Sequence, residues 1–251
     1  MAESGVSSTG VSSTGGSAAA GAFGDSRDAE LPGRLLRTER DAFMPLLRAT
    51  PEERFALRTA CPGWTVRDVL AHCGAALVRI VEGRLEPGVF SPASNAADVA
   101  ERAGWPLARV LDELERGFTE AGPVIAAGDG RFDGVALGEW VHAGDVRDAF
   151  GVPGAYAGEG AEAALELLVM SAGKRGTPLL RAELLDGDDG GDGGHGGGGR
   201  TLELGVAADG RPPARLTCDV PTLIRLYAGR SLVGTRYELE GAAEGELAIY
   251  A

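Results

Sequence analysis

Apolar residues recur every three to four positions through most of the first 175 residues, and every second position beyond residue 200. The period therefore changes once along the chain, from that of a helix to that of a strand. From 28 to about 49, Leu31, Leu35, Leu36, Phe43, Leu46 and Leu47 keep helical spacing, with Pro45 expected to kink the last turn. Thr50-Pro51-Glu52-Glu53 reads as a fresh start, with Thr50 capping, Pro51 at the first helical position and Glu53 closing a capping box. Trp64-Thr65-Val66-Arg67-Asp68-Val69 is a further start. Thr65 can cap, Asp68 sits where the helix dipole favours an acid, and Trp64 can staple onto Val69. Val66, Val69, Leu70, Cys73, Leu77, Ile80 and Val81 form its buried stripe. Further helices are predicted from Pro106 to a stop at Gly122-Pro123, over about 134–150 and over about 159–172.

Past residue 200, segments 201–207, 214–220 and 237–240 read as strands, and 221–229 as a short helix with Pro221 at its start. Residues 1–27 repeat Gly-Val-Ser-Ser-Thr and carry too little apolar surface to offset the entropy of ordering. A second low-complexity tract, 186–199, is almost all Gly and Asp. The organisation expected is a tail over 1–27, a helical bundle over 28–175, a linker over 176–199 and a small α+β domain over 200–251. Asp186, Asp188, Asp189, Asp192 and His195 give the tract acidic and imidazole donors, but their spacing lacks the ordered ligands and terminal glutamate of a calcium loop.

Composition narrows the partners. The 251 residues carry 24 basic against 37 acidic side chains, a net charge of −13 that repels phosphate backbones and anionic membranes, so nucleic acid and membrane are not expected partners. The first twenty residues lack the basic and apolar regions of a secretion signal, and a cytoplasmic location is expected. Three cysteines without a CxxC argue against a disulfide framework or a cysteine-ligated zinc site. Cys73 falls on an apolar stripe, and Cys61 reads as packing at a helix entrance. Of three histidines, His72 lies at the edge of its helix's apolar stripe, and His142 shares one side of its helix with Glu139, Asp145 and Val146. A histidine from one helix meeting a histidine and a carboxylate from another makes an open metal site. The same spacing also accommodates two partly buried histidines, with Glu139 solvated and Asp145 bonded to Arg147 or Arg67.

Residues 61–72, Cys-Pro-Gly-Trp-Thr-Val-Arg-Asp-Val-Leu-Ala-His, resemble the CPGWTVRDLxAH segment of the mycothiol-dependent maleylpyruvate isomerase family, within the DinB-like superfamily. Residues 139–151, from Glu139-Trp140-Val141-His142 through Asp145-Val146 to Gly151, resemble its ExxVHxxDVxxALG motif, and Leu226-Tyr227-Ala228-Gly229-Arg230 its C-terminal LxGR. The resemblance implies a DinB-like four-helix bundle holding a divalent metal, usually zinc, followed by a small sterol-carrier-like α+β domain. It also implies mycothiol as thiol cofactor, with isomerase or S-transferase chemistry on a small electrophile such as maleylpyruvate. His72 and His142 match the family's metal histidines. The family's carboxylate sits four residues before the second histidine, where this chain has Gly138. Glu139, one place later, is the candidate third ligand and Asp145 the fallback; with neither, the chain would be a non-catalytic binding protein of the same fold. Arg230 is the candidate for holding a substrate carboxylate or enolate, and equally for capping the helix over 221–229. Trp140, next to the site in sequence, is the candidate contact for bound thiol or substrate. A metal-ionised cofactor thiol would remove the need for a protein cysteine nucleophile.

Overall fold

The computed structural model describes residues 27–185 and 199–250. The expected tail up to residue 26, and the tract 186–198 with its aspartates and His195, lie outside the described residues. Helix α1 spans Leu31–Ala49, and after a short 3-10 helix, Glu52–Ala56, α2 spans Val66–Val81. Then come α3 (Pro92–Arg102), α4 (Leu107–Ala127), α5 (Asp133–Ala149) and α6 (Ala161–Arg175). The C-terminal part runs β1 (Leu180–Leu184), β2 (Arg200–Leu204), β3 (Ala214–Cys218), α7 (Val220–Tyr227), β4 (Tyr237–Glu240) and α8 (Glu244–Leu247).

Helix α4 packs against both α1 and α2, and α5 closes the bundle against the same pair. Their shared interior is the expected stripe: Leu35, Leu36, Phe43 and Leu47 of α1 meet Val69, Leu70, Leu77 and Ile80 of α2, with Leu114, Phe118 and Ile125 of α4. Burial of several such side chains, at about 1.5–3 kcal/mol each, sets the scale of the bundle's cohesion. Helix α6 packs on α5 and α1 and reaches over to β2 and α7, joining the bundle to a four-stranded sheet of order β2-β1-β3-β4. In that sheet β1 is antiparallel to β2 and parallel to β3, and β3 is antiparallel to β4. The mixed helical and sheet architecture is the one expected.

Three local expectations change. Thr50 ends α1, its hydroxyl donating to the Leu46 carbonyl at 2.8 Å, and makes no capping box; the 3-10 helix beginning at Glu52 has no side-chain cap. Helix α4 continues through Gly122-Pro123, where Gly122 lies directly against Gly33 of α1. Residues 180–184, placed in the linker by composition, form an inner strand of the sheet, and α3 appears where no helix was expected. By contrast Thr65 caps α2 as expected. Its hydroxyl accepts from the Asp68 amide, while the Asp68 carboxylate accepts from the Thr65 amide at 2.9 Å.

Candidate functional site

The segment leading into α2 is shaped by Pro62-Gly63. The Trp64 amide donates to the Cys61 carbonyl at 3.2 Å, and Gly63 has φ 82°, a left-handed value suited to glycine at the third position of a tight turn that follows proline. The Thr59 amide donates to the Trp64 carbonyl, which locks the turn's base. The turn brings Cys61 and Trp64 over the first turns of α2. The Trp64 ring lies 4.9 Å from that of His72 and 6.3 Å from that of His142.

His72 from α2 and His142 from α5 meet with ring centroids 5.3 Å apart, edge to face. His72 is buried, and burial followed by the neighbouring His142 pushes its pKa down to about 3, so it is a neutral imidazole at physiological pH. Its Nδ1 is buried without a hydrogen-bond partner. The Nδ1 of His142 lies 3.1 Å from Asp145 Oδ2, one turn along α5. Asp145 is fully buried, and burial alone would raise its pKa. Hydrogen bonds from His142 and Arg230 outweigh that and hold it below the usual carboxylate range. An ionised carboxylate only accepts, so His142 carries a proton on Nδ1, and Nε2 is the ring nitrogen left to face an ion.

Arg230 reaches the site from beyond α7. Its Nε donates to the two Asp145 oxygens at 2.9 and 3.1 Å, its second terminal nitrogen to Oδ2 at 2.7 Å, and its first to the Ala228 carbonyl at 2.9 Å. The guanidinium is committed to Asp145 and to the end of α7, and does not present itself to a substrate. Tyr156, between α5 and α6, donates its hydroxyl to Asp145 Oδ1 at 2.7 Å, its ring filling the space left by the missing side chain of Gly144.

Glu139 and Trp140, the other expected site residues on α5, are both buried. Glu139 points into the seam between α2 and α5, beside the Cys73 thiol, and burial pushes its pKa up to about 8. Three residues before His142 leaves a side chain about 60° round the helix, and one carboxyl oxygen of Glu139, Oε2, is buried without a hydrogen-bond partner. Trp140 is two residues from His142 and so about 200° round the helix. It is buried on the far side, where its Nε1 would lie 2.6 Å from a Cβ on Gly160. At Gly138 the vacant side-chain position faces the Tyr250 ring, at 3.7–3.9 Å.

Among the described residues, the one group of three metal-type donors is Cys61, His142 and Asp145, whose ligand atoms all lie within 4.8 Å of one another. Cys61 and Trp64 are the site residues that sequence reasoning missed. The Pro-Gly turn was the signal for them, since it folds residues 61 and 64 together. Two imidazoles that face each other, one with an orphaned buried nitrogen and the other oriented through a carboxylate, are donors of the kind a divalent ion takes, and His72 stands outside the three-donor cluster.

No curated protein matches the chain. A crystal structure of the mycothiol-dependent maleylpyruvate isomerase is 18% identical, with a TM-score of 0.52, and covers 86% of this chain and 95% of its own. A structure of a histidine-to-alanine mutant of that isomerase is 17% identical over the same shares, with a TM-score of 0.51. At these identities the likeness is one of fold. The family model described as the mycothiol maleylpyruvate isomerase N-terminal domain matches residues 36–159, a span holding α2, α5 and both histidines. Over residues 36–159 the chain belongs to the mycothiol maleylpyruvate isomerase N-terminal domain family.

Proposed function

We propose that this chain is a divalent-metal-dependent enzyme of the maleylpyruvate isomerase type, using mycothiol either to isomerise a small electrophile or, as an S-transferase, to join the thiol to it through sulfur. The observation that carries this reading is the meeting of two imidazoles from α2 and α5, in a domain of that family. His72 and His142 would hold the ion, with zinc the expected metal. A bound divalent ion would favour the ionised form of a thiol that shares it, and that thiol would be the nucleophile.

The chain's own part in this reading is orientation. Asp145 fixes the tautomer of His142, Arg230 and Tyr156 fix Asp145, and Trp64 covers one side of the two imidazoles. Arg230 is thereby a positioning residue in place of the expected substrate clamp. A second reading, a non-catalytic binding protein of the same fold, draws on Gly138, which has no side chain to ligate.

Metal analysis of protein purified without a histidine tag separates the two. The enzyme reading expects stoichiometric zinc, lost in His72→Ala and in His142→Ala, together with turnover of maleylpyruvate or another small electrophile only when mycothiol is added. Wild-type protein that remains metal-free after incubation with zinc and dialysis overturns it.

A further inference from the structure

The two imidazoles are held by different means. His142 Nδ1 donates to Asp145 Oδ2 at 3.1 Å, and Tyr156 and Arg230 hold Asp145 in turn, so the rotation of that ring is fixed by hydrogen bonds. For His72 no hydrogen bond does the same among the described residues, and its Nδ1 is buried without a partner. The torsion that turns an imidazole about its stem is broad and roughly two-fold, so a ring without such a bond takes its rotation from what packs against it. The geometry points to Trp64 as the positioning residue for His72, its indole doing by contact what Asp145 does for His142 by hydrogen bonding. This rests on the metal-binding reading above and says how its second, unbonded imidazole is held.

Two aromatic rings lie against His72. That of Trp64 is 4.9 Å away at 54°, and that of His142 is 5.3 Å away at 86°. Both lie in the range of about 4.5–7 Å over which ring pairs attract. His142 is itself a candidate ligand. The indole nitrogen of Trp64 is a donor only and cannot take an ion, so Trp64 acts on the site through His72.

The place of Trp64 is determined from both directions along the chain. Ahead of it, its amide donates to the Cys61 carbonyl at 3.2 Å, and its carbonyl accepts from the Thr59 amide at 3.1 Å and the Thr59 hydroxyl at 3.2 Å. Behind it, Thr65 and Asp68 bond reciprocally at the head of α2, the helix that carries His72. An indole has only two side-chain torsions, and with its backbone tied at both ends it makes a stiff wall.

The test uses full-length protein carrying isotope-labelled histidine and stripped of metal. The chain has three histidines, so each ring is assigned by a single substitution. Imidazole nitrogen spectra of wild-type protein should show one sharp set of signals for His72. In Trp64→Ala the His72 signals should broaden or double while those of His142, held by Asp145, stay sharp, and Trp64→Phe should keep the single set. Cobalt(II) alone is the second probe. Its affinity should fall about tenfold in Trp64→Ala and stay within about threefold of wild type in Trp64→Phe. Trp64→Leu, which fills the space without a ring face, should behave as Trp64→Ala and decides the matter if Trp64→Ala does not fold. His72 signals that stay sharp, or cobalt affinity that stays unchanged, in Trp64→Ala and Trp64→Leu overturn the assignment. So does a Trp64→Phe variant that loses as much affinity as Trp64→Ala, and so does broadening of His142 alongside His72, which marks a general loosening of the bundle. Wild-type protein that binds no cobalt overturns the metal reading instead, and the metal-free spectra then decide the Trp64 assignment by themselves.

Discussion

Glu139 and Asp145 are both buried carboxyls on α5, three residues to either side of His142, and their surroundings drive them to opposite charge states. Asp145 is buried but receives Arg230, His142 and Tyr156, and stays ionised. Glu139 is buried with only the Cys73 thiol beside it, and with its pKa near 8 it is protonated at neutral pH. The two shifts have opposite consequences for stability. A carboxyl raised in the folded state stabilises below its unfolded pKa, and that contribution is lost as pH rises through the folded value. Metal-free protein should therefore lose stability as pH rises from about 4.5 to about 8, and Glu139→Gln should flatten that part of the melting-temperature profile. Parallel profiles for the two proteins would mean that water reaches Glu139. Asp145 works the other way, its contribution being present above the ordinary carboxylate pKa and lost as pH falls through its depressed value. The two histidines were legible in the sequence because each sits in a dense motif on a helix. Cys61 was not, because its approach to His142 is made by a turn, and helical spacing carries no information about that. Trp140 was misplaced for a simpler reason, since adjacency in sequence is near-opposition on a helix.

At the scale of elements, close helix contacts decide what the hydrophobic pattern leaves open. Helix α4 passes through Gly122-Pro123, normally a stop, because this stretch lies backbone to backbone against α1 at Gly33, and packing overrides local propensity. Five residues before Gly122, Gly117 faces Leu77 of α2 so closely that an added Cβ would lie 2.5 Å from the Leu77 Cβ. Alanine in place of glycine favours a helix by up to about 1 kcal/mol, but wedging a packed seam costs about 1–3 kcal/mol. Gly117→Ala should thus lower the denaturation midpoint, and an unchanged or raised midpoint would show that α2 and α4 separate easily. At the head of α2, Thr65→Ala removes both the cap and the partner of Asp68, and about 1 kcal/mol of stability should be lost in chemical denaturation. The elements missed in the sequence share a cause. Leu-Arg-Ala-Glu-Leu of β1 has no β-branched or aromatic residue, and pairing with β2 and β3 alone makes it a strand. Helix α3 buries little besides the ionic side chains of Asp98 and Arg102, so no apolar stripe announces it, although Ser91-Pro92 is a legible helix start.

At the scale of the molecule, the sheet and the bundle meet at the candidate site. Tyr250, near the C-terminus, donates its hydroxyl to the Gly134 carbonyl of α5 at 2.8 Å, and α6 packs on both parts. The buried charged tie is Arg230 to Asp145, with side chains 8% and 0% exposed, beside an exposed pair of Arg200 on β2 with Glu162 on α6. Removing one member of such a pair leaves a buried charge without its partner, which costs about 3–5 kcal/mol, whereas removing both leaves no uncompensated charge. Arg230→Met and Asp145→Asn should each be strongly destabilising in urea. The double variant should be more stable than the two single losses predict by addition, with a coupling above about 1 kcal/mol. Additive losses would show that the Arg230–Asp145 pair does not couple the sheet to the bundle, and that Arg230 does not set the charge state of Asp145. The same cycle reads on function through His142. Once Asp145 becomes an amide it offers one neutral acceptor and one donor where two anionic oxygens stood, so the Nδ1 proton of His142 is no longer held in place. Metal affinity should fall in Asp145→Asn whether or not the fold is rescued by Arg230→Met. If affinity recovers along with stability in the double variant, Asp145 acts by holding the two parts of the chain together and not by orienting His142.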